Sequence, residues 1–516
     1  MRKIKHLQIA IAVVLSSLLC RLELSSALAD EGESGLTKPE AKLLKGLSAP
    51  SNPSAPWIAP DLSSISQPLK ERAPSEVESN KAYELAELVD LAERLNPETR
   101  AAWAHAKEAA AGVGLAKSEY YPLLALKASA DAAKLPFPLP VSPTRAGYMN
   151  LEMQEAAPVA SLEWVLLDFG RRAADVRAAR TRLLAANLGF NARHQQIVFS
   201  VQSAFYQLSS LIGRISAAQA SLDSALKIQE ATEERFKNGL AAAPDVSRAR
   251  QLAAQAAFDL EEVLAHERDA EVALAQSIGV LPTTPIRIVD LSRLPLPNDL
   301  EETVERFIDR TLEQRPDLLA KVAELRAKDA EVRRAKSAYL PTLAFKGEAG
   351  HAFENSQIKV SGQTLPWEST DQNVWGVGLF LTWDLFDGGA RKRKLEMARA
   401  QRDAARHELE DAKDKAISQV WQYYTSTTLA FRRLDVAAAL LDASEKSYQQ
   451  TFEGYQHGLN SLVDVLDAER SLSSARYTQL DTRATLLQST AALAYASGDL
   501  GPRLIHRKPG TLDTRP

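Results

Sequence analysis

The chain has 516 residues, with 62 Lys and Arg against 66 Asp and Glu, a formal charge of −4, eight histidines and one cysteine. A mildly acidic chain is a poor candidate for binding nucleic acid. A lone cysteine, Cys20, leaves no disulfide framework, and the mature chain keeps no thiol if the segment around Cys20 is removed.

That segment reads as a secretory signal peptide over residues 1–29. Arg2, Lys3 and Lys5 precede an apolar run from Ile9 to Leu19, and Ala27-Leu28-Ala29 supplies a small-residue cleavage site before Asp30. The run is too short for a membrane anchor. Lipid attachment at Cys20 is the alternative, with Leu19 standing where a lipoprotein signal wants a small residue. Removal shifts the formal charge to about −7. Residues 30–82 follow as a Ser/Pro-rich extension, as in APSNPSAPWIAPDLSS, which reads as extended or disordered. No later apolar run has the length of a membrane helix, so any insertion must be by strands.

The first structural repeat spans residues 83–281. A helix starts at Pro97 and stops before Pro122. Leu124, Leu126, Ala128 and Ala130 then alternate with Ala125, Lys127, Ser129 and Asp131, and the return strand sets Leu162 and Trp164 against Ser161 and Glu163. Alternation over nine or ten residues fits a barrel strand with lipid outside and water inside; a soluble, half-buried hairpin uses the same pattern. Trp164 near the strand end, with Tyr120 and Tyr121 at the opposite helix-to-strand junction, supplies rings suited to a membrane boundary. From Arg171 to Lys237 the composition favours one helix, about 100 Å long at 1.5 Å per residue. Gly239 reverses the chain, and a shorter helix returns to Gly279.

After a linker, 282–299, the same order recurs over residues 300–500. Pro97 and Pro316, Trp164 and Trp383, Gly239 and Gly458, and Gly279 and Gly498 are each 219 apart. Leu343, Phe345 and Ala349 alternate with Lys346 and Glu348, Leu379, Leu381 and Trp383 alternate with Thr382 and Asp384, and Tyr339 and Trp383 extend the boundary rings. The segments LPFPLPVSPTRAGYMN and ENSQIKVSGQTLPWESTDQN read as loops, because proline suits loops and not central strands. The tail, 501–516, is polar. Helices this long must pack along one another, and four strands cannot close a barrel. Two, three or four copies are therefore required if the strands enter a membrane.

GLNSLVDVLDAER, Gly458 to Arg470, places Asp464 and Asp467 one helical turn apart behind a glycine turn. A catalytic dyad, a metal site, a helix cap and a ring formed on assembly are the candidate readings. Asp245 is the repeat counterpart of Asp464, which favours a cap, whereas Asp467 faces Arg248 in the repeat. Neither a His/Cys cluster nor a substrate cleft accompanies the pair, and reactive motifs such as His-Glu-x-x-His or a phosphate-binding glycine loop are missing from the sequence.

Six segments in order on this duplicated frame resemble the TolC-like outer membrane efflux proteins: ERLNPETRAAWAHAKEAAAGVGLAKSEYYPLL, WVLLDFGRRAADVRAAR, RFKNGLAAAPDV, RPDLLAKVAELRAKDAEVRRAKSAYLPTL, WDLFDGGARKRKLE and GYQHGLNSLVDVLDAER. The resemblance covers nearly everything from Tyr83 to Leu500. It implies a mainly α fold with membrane β: duplicated long-helix hairpins forming a periplasmic α-barrel, and four strands per chain in a shared transmembrane β-barrel. It further implies a homotrimer in the outer membrane of a Gram-negative bacterium, needing no cofactor and doing no catalysis. The duct would serve a tripartite efflux pump or type I secretion system, with a periplasmic adaptor (membrane fusion) protein and an inner-membrane RND, ABC or MFS transporter as partners. A periplasmic helical adaptor or scaffold is the rival, which would need flanking compact β domains.

By that resemblance Asp464 and Asp467 ring the gate constriction, where like-charge repulsion would raise their proton affinity. Asp245, Tyr455 and Asn460 match the tip latch, with Asn460 standing where an arginine is common. Gly239, Leu240, Gly458 and Leu459 match the adaptor-docking turns, preceded by Asn238 and His457 where a small apolar residue is usual.

Overall fold

Each half of the 219-residue repeat folds into the same succession of elements. In the computed structural model, residues 77–78, 81–142, 145–289, 296–297, 299–300, 302–360 and 363–500 are described. The expected leader with Cys20, residues 30–76 and the tail 501–516 lie outside the described residues. In chain order the first half contains β1 (Ala82–Tyr83), α1 (Leu85–Leu95), α2 (Pro97–Ser118), β2 (Leu123–Ser142), β3 (Arg145–Leu167), α3 (Arg171–Lys237) and α4 (Ala243–Ile278). After β4 (Arg287–Ile288), the second contains α5 (Val304–Gln314), α6 (Pro316–Ser337), β5 (Thr342–Val360), β6 (Gln363–Thr364), β7 (Glu368–Thr382), α7 (Ala390–Gln456) and α8 (Leu462–Ser497). Every helix of the second half is its counterpart moved by 219 residues.

The chain divides into two compact units. In the helical unit, residues 77–118, 170–339 and 386–500, α3 and α7 each run unbroken for 67 residues. Proline is missing from both stretches, and alanine and long straight-chain residues fill them, so every backbone donor beyond the first turn has an i−4 acceptor within the helix. Among the described residues three larger apolar clusters hold these rods, with a smaller fourth at Ala484 and Leu487 of α8. Leu88, Leu91 and Ala92 of α1 pack on Val201, Phe205 and Leu208 of α3 and on Leu274 and Ile278 of α4. Val304 of α5 packs with Val420 of α7 and Leu493 and Ala496 of α8. The third cluster draws on both halves and is described below. β1 pairs in parallel with β4, so part of the expected linker, 282–299, is a strand that fixes the end of the extension.

The strand unit, residues 119–169 and 340–385, is an antiparallel sheet in the order β2-β3-β5-β7, with β6 added to the end of β5. One face carries exposed Leu124, Leu126, Trp375, Val377, Leu379 and Leu381; the other carries the Lys346–Glu163 ion pair at 3.1 Å. On β3 the apolar face runs from Leu166 to Ala156, eleven residues, which suits a tilted barrel strand. Beyond it the same face turns charged, with Glu152 accepting from Lys134 at 2.8 Å and from Lys359 at 3.1 Å.

Two expectations about this unit need correction. The four long strands run 15 to 23 residues, past the nine or ten over which alternation is read, because backbone pairing continues beyond the apolar band into the segments read as loops. Pro136 and Pro138 therefore lie within β2, an edge strand of the sheet, where proline is tolerated. The boundary aromatics do not lie at opposite ends, since a hairpin returns the chain to its starting end. Trp164 donates its indole N–H to the Tyr120 carbonyl at 2.9 Å, and Trp383 follows Thr382, which pairs with Thr342 near Tyr339.

Pro158 interrupts the interior of the sheet. The β2–β3 ladder runs through it, opposite Ala128, whereas the β3–β5 ladder skips Ala157 and Pro158, so the missing N–H falls on the β5 side. Gly350 of β5 fits there because a Cβ would lie 2.4 Å from the Pro158 carbonyl oxygen.

Candidate functional site

The two helical hairpins turn at Gly239 and Gly458, with φ of 73° and 79°, a region that side chains with a Cβ avoid. Gly239 and Leu240 return their N–H groups to Phe236 and Arg235, and Gly458 and Leu459 return theirs to Tyr455 and Gly454. These bonds satisfy carbonyls left over at the helix ends. The turns leave Leu240 and Leu459 66% and 82% exposed, so each hairpin presents an apolar side chain to its surroundings.

The last turns of α3 and α7 are tied together. Tyr455 is buried and donates its hydroxyl to Thr232 Oγ1 at 3.1 Å. Arg235 donates through Nη1 to the Tyr455 carbonyl at 2.8 Å, and its guanidinium lies 4.8 Å from the Tyr455 ring centroid. A cation that satisfies the terminal carbonyls of α7 also complements the negative end of that helix. Beneath them Ile228, Leu252, Leu462, Val465 and Leu466 form the third apolar cluster.

The three expected latch residues are not brought together. Asp245 stays local, accepting from the Ala242 N–H at 3.2 Å with Arg248 at 3.9 Å. Asn460 folds back on its own hairpin and donates to the Thr451 carbonyl at 3.1 Å. It fills the place of a side chain at Gly454, where a Cβ would come within 2.6 Å of Asn460 Nδ2. Arg235 and Thr232 were missed as candidates. Their repeat partners are Gly454 and Thr451, so the 219-residue comparison marks Arg235, without naming its partner.

Asp464 and Asp467 differ in their surroundings. Asp464 Oδ2 accepts from the Ser461 N–H at 2.9 Å and the Ser461 hydroxyl at 2.7 Å, while Ser461 Oγ accepts from the Asp464 N–H at 3.2 Å. This capping box holds the Asp464 carboxyl below the usual carboxylate range, chiefly through the Ser461 hydroxyl. In the single chain two donors stabilise the charged form of Asp464, and the like-charge repulsion expected at the constriction belongs to the assembled ring. Asp467 is exposed, with Arg470 at 3.4 Å.

Asp467 lines a cavity of about 790 Å³ between α4 and α8, together with Arg248, Asp259, Glu469, Arg470 and Tyr477. The lining is mixed in charge, not uniformly acidic. Glu469 is buried, and its burial pushes the carboxyl up, opposed by Arg476 and the Ser221 hydroxyl. Its position was legible, since Leu462, Val465, Leu466, Glu469 and Leu472 fall on one helix face.

The model of the family described as "Outer membrane efflux protein" matches residues 88–280 and 307–499, two segments again offset by 219. The protein CyaE of Bordetella pertussis is 28% identical over 82% of this chain and 86% of its own length. The outer membrane protein OprJ of Pseudomonas aeruginosa is 25% identical over 75% and 78%. The outer membrane protein VceC of Vibrio cholerae shares the fold, with a TM-score of 0.66 over 80% of this chain and 96% of that one, at 22% identity. With both halves matched, the chain belongs to the outer membrane efflux protein family as a TolC-like channel protein of the Gram-negative outer membrane.

Proposed function

We propose that three copies of this chain close into one exit duct, gated where the helical hairpins turn. One observation carries the reading: each unit has two open sides whose repeat equivalents are covered within the chain. In the sheet, β3 pairs with β5, but β7 and β2, their counterparts, are left as edges. Among the helices of the described residues, α6 packs on both α3 and α7, whereas its counterpart α2 packs along α3 alone to a comparable extent. The uncovered sides of α2 and α7 expose Trp103 and Leu115, and Trp421, Leu429, Val436 and Leu440. A further copy supplies both missing neighbours, and twelve strands close a barrel where four cannot.

In such a duct the 1–29 segment directs export, and the two repeats, 83–281 and 300–500, form equivalent staves. Tyr120, Tyr121, Trp164, Tyr339 and Trp383 mark the periplasmic boundary of the outer membrane. Asp464 and Asp467 of three copies surround the narrowest point, and Tyr455 with Arg235 holds it narrow. Leu240 and Leu459 receive the helical hairpin of a periplasmic adaptor, and an inner-membrane transporter supplies the energy. The wall performs no chemistry on its cargo.

The test is the mass of the detergent-extracted protein together with its conductance in a planar bilayer. Three copies and small, cation-selective steps are expected. A monomer without conductance overturns the reading.

A further inference from the structure

We infer that the strand seam between copies is zipped only through the apolar band and is terminated above it by Pro136 and Pro138 of β2. The inference rests on the duct reading, and specifies where neighbouring copies bond and where they do not.

The register follows from the repeat. The β2–β3 and β5–β7 hairpins share one register after the 219-residue shift, Leu123 opposite Glu163 and Thr342 opposite Thr382. The β3–β5 pairing, Leu162 opposite Gly347 and Trp164 opposite Phe345, is thus the internal copy of the pairing that β7 would make with β2 of a neighbour. Carried over, it sets Leu381 opposite Ala128, Leu379 opposite Ala130, Val377 opposite Ala132 and Trp375 opposite Lys134. Leu381, Leu379 and Val377 of one edge then meet alanines of the other, and Trp375 meets Lys134 at the end of the apolar band.

The direction of the proline nitrogens follows from Pro158. Its missing N–H faces β5, so its partner Ala128 sits in a pair not hydrogen-bonded across β2–β3. The register is unbroken from Leu123 to Pro140, so Pro136 and Pro138 share that parity and turn their nitrogens to the open edge. In the carried-over register they oppose Asn373 and Asp371, at positions where an ordinary residue would donate across the seam.

Lipid supplies a reason for the stop. Within the apolar band an unpaired N–H has no water to bond, so the edges there must be closed by a neighbour. Above the Lys134–Glu152–Lys359 cluster, water satisfies the backbone. Prolines there remove the donors by which a long free edge would pair with wrong strands before assembly.

Cysteine pairs test this on the full-length protein with Cys20 in its natural place. Ala133→Cys with Gly376→Cys lies in the zipped part, and Phe137→Cys with Gln372→Cys lies beyond Pro136. Under mild oxidation the first pair is expected to lock copies together on a non-reducing gel and the second to leave monomers. Adding Pro136→Val and Pro138→Val is expected to restore the second cross-link and raise the dissociation temperature of the assembly. A distal cross-link formed with the prolines in place overturns the inference, as does a trimer by mass in which the first pair fails to link. A monomer by mass in every variant overturns the duct reading itself.

Discussion

Tyr455 of α7 donates its hydroxyl to Thr232 of α3, 223 residues away, and the ring that carries it lies against the guanidinium of Arg235. These two contacts join the ends of both long helices. Their repeat counterparts make nothing equivalent: Phe236 has no hydroxyl and is exposed, and Gly454 has no side chain.

Removing the joint should loosen the tip in a graded way. Tyr455→Phe deletes one hydrogen bond, worth about 0.5–1.5 kcal/mol. Arg235→Ala removes the bond to the Tyr455 carbonyl and the ring contact together, and is expected to cost more. Single-channel recordings should show longer or larger openings in the order wild type, Tyr455→Phe, Arg235→Ala. Equal conductance in all three would remove the joint from the gate.

The two aspartates should separate by readout. Asp467→Asn is expected to weaken cation preference, measured as a reversal potential in a salt gradient, without a change in melting temperature. Ser461→Ala should instead lower the stability of the α8 end by about 1 kcal/mol, the usual worth of a cap. Because the Asp464 carboxyl is held low, its contribution is present above the unfolded-state pKa and is lost as pH falls through the folded-state one. Tip protection in hydrogen exchange should therefore weaken under strong acid.

Glu469 runs the other way. Its carboxyl is pushed up by burial, so the folded chain holds the proton more tightly than the unfolded chain. Stability from this group is full below the unfolded-state pKa and declines as pH rises through the folded-state one. Glu469→Gln keeps the shape without the buried charge, and should raise the melting temperature at neutral pH and flatten its pH dependence above the acid range. An unchanged profile would show that Glu469 stays charged and paired.

Gly350 should tolerate no side chain. Gly350→Ala would press a Cβ into backbone atoms of Pro158 and Val159, whereas at Gly347 the nearest atom lies 3.5 Å from a Cβ. Outer-membrane yield of assembled protein is expected to collapse for Gly350→Ala and to survive for Gly347→Ala.

Docking is tested at the exposed leucines. Leu240→Ser with Leu459→Ser should abolish export in cells while leaving bilayer conductance intact, since neither side chain packs within the hairpins. Retained export would move the docking site elsewhere.

Much of this architecture was legible because it rests on short-range rules repeated twice. Helix extent follows from runs free of proline, reversals from Gly239 and Gly458, and strand faces from alternation, and the 219-residue offset reads each signal a second time. The strand lengths were misjudged because proline was taken to exclude pairing, when on an edge such as β2 it removes only an outward donor. Arg235 and Thr232 were not legible as partners of Tyr455, because only the packing of α3 on α7 brings them together, while Asp245 and Asn460 bond within their own hairpins in the single chain.

By itself the sequence determined the repeat, the long helices and the amphipathic sheet, because each depends on residues within a few positions and is read twice. Only the tertiary structure decided which of two equivalent residues does the work. Tyr455 is buried while its counterpart Phe236 is exposed, and Arg235 of α3 reaches the Tyr455 carbonyl where its counterpart Gly454 has no side chain. Those outcomes depend on neighbours brought in from distant parts of the chain, and no local period or propensity encodes them.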